Sequence, residues 1–138
     1  MARGVLVDAG PLVAILNQRD RHHHDCVAAL KRMRQSLFTT WMPVTEAMYL
    51  LDFSPAAQSA LLEMIERGAL NILSIETEDL ADIRALMAKY ADLAMDFADA
   101  TLVQVARRER LSEIFTLDQR DFGIYRLQRG RSFVIYPG

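Results

Sequence analysis

One cysteine, two lysines and no long apolar run set the first limits on this chain of 138 residues. The lone Cys26 excludes an internal disulfide and fits a reducing compartment. No stretch approaches the roughly 20 apolar residues of a membrane span, and Asp8 interrupts the N-terminal apolar run too early for a signal peptide. A cytoplasmic protein with no membrane partner is the expectation. Repeats, low-complexity tracts and linkers are also lacking, so the length predicts one domain over residues 1–138, large enough to bury a core without staples.

Half the residues are hydrophobic (51%) and a quarter charged (25%), the balance of an ordinary globular protein. The net charge of −2 conceals basic clusters at Lys31, Arg32 and Arg34, at Arg107, Arg108 and Arg110, and at Arg126, Arg129 and Arg131. Solvated helix faces account for much of this, and cations near a helix C-terminus are favoured in any case. A near-neutral balance leaves nucleic-acid binding open, provided a local patch supplies the charge.

Along the chain the periodicity alternates. Gly4–Val7 reads as a buried strand, followed by a helix from about Pro11 to Asn17 and another over Asp25–Met33. Leu37–Thr40 is a short strand. Pro43 suits the first turn of a helix through about Asp52, and Ser54–Pro55 reads as the N-cap and first position of a helix ending near Gly68. Leu70–Ile75 is predicted as a strand, Glu76 or Thr77 to Tyr90 and Asp96 to Arg110 as helices. Glu113–Leu117 then reads as a strand, the segment after it as a polar turn, and Ser132–Tyr136 as a last strand. Strands alternating with helices imply a mainly parallel sheet of four to five strands, covered on both faces in three α/β/α layers.

In open sheets of this kind function sits beyond the carboxyl ends of the strands, and acids occur there. Asp8 follows the first strand, and Glu46 lies soon after the second, in TTWMPVTEAMYLL. Asp96 and Asp99 open a helix in MDFADATLVQV. Asp118 follows the strand ending at Leu117, with Asp121 three residues on. Singly, each has a plain structural reading as a helix cap, dipole partner or turn residue. Four segments presenting a carboxylate at one edge is the signal. Two full charges about 4 Å apart cost roughly 4 kcal/mol at an effective dielectric of 20, so the cluster calls for raised pKa values or a divalent cation. Oxygen ligands with no nearby cysteine favour Mg²⁺ or Mn²⁺ over zinc. Hydrolysis of a phosphodiester by metal-activated water follows from that chemistry.

The ordered set LVDAGPLVAIL, PVTEAMYLL, DFADATLVQVA and TLDQRDFG resembles the PIN-domain ribonucleases, in particular the VapC-like toxins of toxin–antitoxin pairs, over nearly the whole chain. The resemblance implies a PIN-like fold and a Mg²⁺-dependent endoribonuclease (Mn²⁺ substituting) that inhibits translation or growth. It also implies an RNA substrate, a VapB-like antitoxin and a homodimer. Carried onto this sequence, it makes Asp8 and Asp99 direct metal ligands and has Glu46 and Asp118 complete the site directly or through water. Asp121 competes with Asp118 for the fourth place. Asp96 becomes a cap or outer-shell residue, and Thr116 and Thr45 become hydroxyls that orient water or phosphate. Such proteins often carry Thr-Asn after the first Asp; here Ala9-Gly10 removes that support but no acid.

The run His22, His23 and His24 lacks zinc-type spacing and is expected at the entrance to the second helix, one of the three near the mouth of the site. Met42, Met48, Tyr49, Leu50, Leu51 and Phe53 exceed what one buried face needs, which suits a homodimer surface or an antitoxin groove. The alternative from another class is a non-catalytic module using the fold to hold RNA or protein, against which the full acidic set argues. An aspartyl-phosphate mechanism at Asp8 fares worse. Position 10 is Gly where a haloacid-dehalogenase-like phosphatase needs its second Asp, and a receiver domain needs a lysine after a late strand, whereas only Lys31 and Lys89 exist, both in helical stretches.

Overall fold

The alternating pattern closes into one sheet. A computed structural model describes residues 4–138. Strands β1 (Gly4–Val7), β2 (Ser36–Thr39), β3 (Asn71–Ile72), β4 (Glu113–Phe115) and β5 (Val134–Tyr136) lie in the order β3-β2-β1-β4-β5, every neighbouring pair parallel. Seven α-helices are present among the described residues: α1 (Ala9–Leu16), α2 (His23–Arg32), α3 (Trp41–Leu50), α4 (Pro55–Glu66), α5 (Leu80–Lys89), α6 (Phe97–Glu109) and α7 (Gln119–Ile124).

Val5, Leu6 and Val7 are all buried, as a central parallel strand requires when both faces are covered. Their side chains alternate between two cores. Val5 and Val7 join Leu12, Cys26, Val44, Leu51 and Leu61 from α1 to α4 and the loop after α3. Leu6 joins Ile83, Leu86, Leu102, Val105 and Phe122 from α5 to α7 on the opposite face. Three layers follow, with the sheet in the middle.

Several boundaries differ from the sequence reading for local reasons. Helix α1 begins at Ala9, with Pro11 tolerated in the first turn, where backbone N–H groups lack helical partners anyway. Strand β3 is shorter than Leu70–Ile75 because the Leu73 amide makes one more bond to the Thr39 carbonyl and the Ser74 carbonyl then accepts from Arg108. The polar turn expected after β4 is instead helix α7, capped by Asp118. Ser54 does cap α4, accepting from the Ala57 amide at 3.1 Å, with Pro55 first in the helix.

Chain order places β1 at the reversal point. From β1 the chain builds β2 and β3 on one side, then crosses to β4 and β5 on the other. A crevice therefore opens beyond the ends of β1 and β4, where crossovers diverge to opposite sides.

A 3-10 turn over Thr77–Asp79 leads into α5 and carries the buried acid Asp79. Its carboxylate accepts from the Gln104 side chain at 2.9 Å, the Glu76 amide at 2.8 Å and the Arg108 guanidinium at 2.7 Å. Burial opposes its charge, but Gln104, the Glu76 amide and Arg108 together hold its carboxyl below the ordinary range. The cluster ties the loop after β3 to α6, and so fixes the helix that bears Asp96 and Asp99. Removing the acid takes the 2.9 Å acceptor from Gln104 and one of three acceptors from Arg108, so Asp79→Ala should lower unfolding free energy by about 2 kcal/mol. Urea denaturation checks this, and a loss below about 0.5 kcal/mol, the range of ordinary surface changes, would contradict it.

Candidate active site

The acids after the strands gather at the crevice, and the backbone explains how. The Asp8 amide donates to the Phe115 carbonyl at 3.0 Å, extending the β1–β4 ladder by one rung past Val7. Asp8 is also the N-cap of α1, its Oδ1 accepting from the Ala9 amide at 2.8 Å. Its Oδ2 accepts from the Thr116 hydroxyl at 2.8 Å, and the same hydroxyl accepts from the Asp118 amide at 3.0 Å. Thr116 thus spends both its donor and an acceptor site linking Asp8 to the turn that carries Asp118.

Asp118 caps α7 by accepting from the Asp121 amide at 3.3 Å. Asp96 caps α6 by accepting from the Asp99 amide at 2.8 Å, which turns Asp99 into the first turn of that helix. Glu46 stands on α3 at the open rim. Two threonines at the end of β2 brace this edge. Thr39 donates to the Val7 carbonyl at 2.7 Å, while Thr40 meets Thr101 at 2.8 Å. Because Thr101 gives its proton to the Ala98 carbonyl at 2.8 Å, Thr40 is the donor in that pair. The start of α3 is thereby pinned to the start of α6.

The carboxylates feel one another. The Asp8 carboxyl is pushed up, first by burial and then by the charges of Asp118 and Asp96, against the bonds from Thr116 and Ala9. Asp99 is pushed up to about 7 by burial, Asp96 and Asp8, against the Asp96 amide and the Tyr125 hydroxyl. Glu46 rises through partial loss of water, then through Asp8 and Asp96. Asp118 rises through burial and the nearby Asp121, with Arg120 opposing. The charge of Asp118 reaches Asp8.

The donor set suits a hard divalent cation: oxygen atoms, no cysteine or histidine among them, and uncompensated negative charge. Among the described residues no three such side chains already surround one point.

The family model for the PIN domain matches residues 5–128. The chain belongs to the PIN domain family. As a PIN domain it is similar to Ribonuclease VapC26 of Mycobacterium tuberculosis, 25% identical over 135 residues that cover 96% of this chain and 100% of that protein. The crystal structure of M. tuberculosis VapC20, described as a Sarcin-Ricin loop cleaving toxin, superposes with a TM-score of 0.76 at 15% identity, covering 84% of this chain and 91% of that one. VapBC2 from Rickettsia felis, bound to a promoter DNA fragment, gives a TM-score of 0.59 at 12% identity and covers 96% of each chain. At those identities the two structures establish a shared PIN fold.

Some sequence expectations for this PIN domain change. Thr45 does not join the acids; its hydroxyl donates to the Trp41 carbonyl one turn back, at 2.8 Å. The histidines do flank the start of α2, with His22 as its N-cap, but His23 bonds through Nδ1 to the Ala14 carbonyl at 2.7 Å and serves to join α2 to α1. Tyr125 went unnoticed in the sequence. Fully buried, it packs edge-on against Tyr90 and Phe122, and its hydroxyl donates to Asp99 Oδ2 at 3.2 Å. No local pattern signals it, since the two residues are 26 positions apart.

Two outcomes follow from these acids. An unfolded chain releases the Asp99 proton near pH 3.9, while the metal-free folded protein keeps it to about 7. The folded state binds more protons in that window, so stability falls as pH rises through it. Melting temperature in EDTA should therefore drop between pH 5.5 and 7.5, and Asp99→Asn should flatten the slope; a melting temperature that rises with pH would contradict the assignment. Separately, Tyr125→Phe keeps the ring packing but removes a donor to the charged carboxylate, so the Asp99 midpoint should move above about 7 in a carboxyl NMR titration. An unmoved midpoint would mean the hydroxyl does not act on Asp99.

Proposed function

We propose that this PIN domain is a Mg²⁺-dependent endoribonuclease and the toxin of a toxin–antitoxin pair. The observation that carries the reading is the convergence of Asp8, Glu46, Asp99 and Asp118, from four chain segments, on the crevice at the reversal of strand order. Likeness to a ribonuclease over nearly the full length supports the activity, and likeness to a toxin and to a toxin–antitoxin complex supports the biological role.

Asp8 and Asp99 would hold the ion, with Glu46 and Asp118 completing the shell directly or through water. Mn²⁺ would serve in place of Mg²⁺. When bound, such an ion lowers the pKa of a coordinated water and stabilises charge on a phosphoryl oxygen. The chain's own contribution is placement. Thr116 and the Ala9 amide fix both oxygens of Asp8. Tyr125 fixes one oxygen of Asp99, and Asp96 fixes the helix turn beneath it. Glu46, free at the rim with a raised pKa, suits the acceptance of a proton from the attacking water. In the hydrolysis the water oxygen forms a bond to phosphorus, the bond from phosphorus to the leaving ribose oxygen breaks, and that oxygen takes up a proton.

Partner surfaces follow from exposure. Tyr49, Leu50, Phe53 and Leu62, on α3, the loop after it and α4, are large apolar side chains open to solvent. Large apolar side chains left open to solvent on neighbouring stretches of chain suit a second copy of the chain and a VapB-like antitoxin.

Cleavage of a mixed RNA substrate should need Mg²⁺ or Mn²⁺, vanish in EDTA, and fall at least about 10³-fold in Asp8→Asn, the scale of losing a key charge-stabilising group. Gel analysis of RNA fragments reads the outcome, alongside a melt showing that the variant folds. Cleavage that survives either treatment rejects the reading, and binding without turnover in both metals would favour a non-catalytic module.

A further inference from the structure

The largest cavity, a groove of about 920 Å³ between α2 and the C-terminal segment, is lined by none of the crevice acids. Within the crevice, Tyr125 carries more than packing demands. A core ring needs no hydroxyl, yet this one brings its hydroxyl to the edge of the acid cluster and donates it to Asp99 Oδ2 at 3.2 Å. That is long for an O–H···O bond, so the packing rather than the bond places the hydroxyl. The ring is fully buried, its centroid 4.9 Å from that of Tyr90 and 5.0 Å from that of Phe122, edge-on to both. The backbone is fastened around it as well. The Tyr125 amide donates to the Asp121 carbonyl at 3.0 Å, the Arg126 amide to the Tyr90 hydroxyl at 3.0 Å, and Arg107 to the Arg126 carbonyl at 2.6 Å. The phenol oxygen therefore cannot swing away from Oδ2.

The consequence lies in how many oxygens each acid has to give. On Asp99 the phenol occupies Oδ2, and the Asp96 amide also favours the charged carboxylate. On Asp8 the Ala9 amide occupies Oδ1 and Thr116 occupies Oδ2. Neither aspartate offers two open oxygens. Glu46 is raised by lost water and by neighbouring charge with no bond opposing them, so the restriction lies with the two aspartates read as direct ligands. Ions differ in what they ask of a carboxylate. Ca²⁺ gathers about 6–8 oxygens and often takes both from one acid, whereas Mg²⁺ needs a tight octahedron, keeps several waters and draws on one or two carboxylates. An ion that spans both oxygens of Asp99 must share Oδ2 with the phenol. One that takes a single oxygen need not.

We propose that Tyr125 is a positioning residue for ion selectivity: by holding Oδ2 of Asp99 it leaves that carboxylate one open oxygen, and so favours Mg²⁺ and Mn²⁺ over Ca²⁺. The inference rests on the metal-dependent reading, and its test separates the two. Mn²⁺ binding to the full chain is followed by the electron paramagnetic resonance of the free ion, with Mg²⁺ and Ca²⁺ titrated in as competitors. In Tyr125→Phe, which keeps the ring, the ratio of the two competitors' affinities should shift about tenfold towards Ca²⁺, the lower end of what losing a ligand's hydrogen-bond partner does to a metal site. A merely structural loosening of Asp99 would weaken both ions alike, and an unchanged ratio overturns the proposal. Because a ratio is read, a loss of folded protein cancels. Asp99→Asn should weaken Mn²⁺ binding; binding that it leaves untouched puts the ion elsewhere and overturns the proposal too. A wild-type chain that binds no Mn²⁺ defeats the metal-dependent reading and this inference with it, whereas binding with an unchanged ratio defeats the inference alone.

Discussion

The contact on which the rest of the site depends is the pair of bonds that hold Asp8. Its amide is a rung of the sheet and its carboxylate is grasped by Thr116 from the neighbouring strand. Neither bond tolerates movement of β1 against β4, so the sheet's rigidity passes directly to the carboxylate. Everything else at the crevice is arranged around that fixed point. Thr116 turns the chain towards Asp118, and Thr39 ties the end of β2 to the carbonyl of Val7, the residue before Asp8. Thr40 and Thr101 then bring the helices bearing Glu46 and Asp99 to the same edge. A set of short hydroxyl links does what a longer side chain, with more rotamers to lose, would do less well.

That geometry is held against an electrostatic cost. Each acid favours the helix it starts by about 0.3–1 kcal/mol, whereas close carboxylates repel by several times that at a partly buried site. The raised pKa values of Asp8, Glu46, Asp99 and Asp118 come first from burial and then from neighbouring carboxylates. The apolar cores on the two faces of the sheet offset the cost, and the Asp79 cluster braces the far part of α6 with charges arranged the opposite way, one buried acid among donors. The protein thus contains one acid matched by donors that stabilises, and a group of acids held close together with raised pKa values.

Much of this was legible in the sequence because strand-then-acid is a local pattern. Val5 to Val7 followed by Asp8, and the DFAD step at the start of α6, needed only neighbouring residues to be read. What escaped was non-local. Tyr125 reaches Asp99 across 26 positions, and nothing near either residue announces it. Helix α7 was read as a polar turn because QRDFGI is short and contains glycine; its start is set by Asp118 as cap and its packing by Phe122 in the core. Thr45 was placed among the acids by the family resemblance, yet a threonine inside a helix readily gives its proton to the carbonyl four residues back. Strand β3 ended early because Arg108, distant in the chain, took the Ser74 carbonyl out of the ladder. The groove between α2 and the C-terminal segment was beyond reach for the same reason, being formed by stretches about a hundred residues apart.

Asp8, Asp96 and Asp118 each begin a helix as well as crowd the crevice. Asparagine caps a helix about as well as aspartate does, and it carries no charge to repel. Exchanging any of these acids for its amide therefore keeps the architecture and relieves the strain at one stroke. The mutational landscape tilts accordingly: the exchange that takes a charge out of the crevice runs downhill in folding energy. Descendants of this chain that lose these acids would persist as sound, well-packed proteins rather than as debris for proteases.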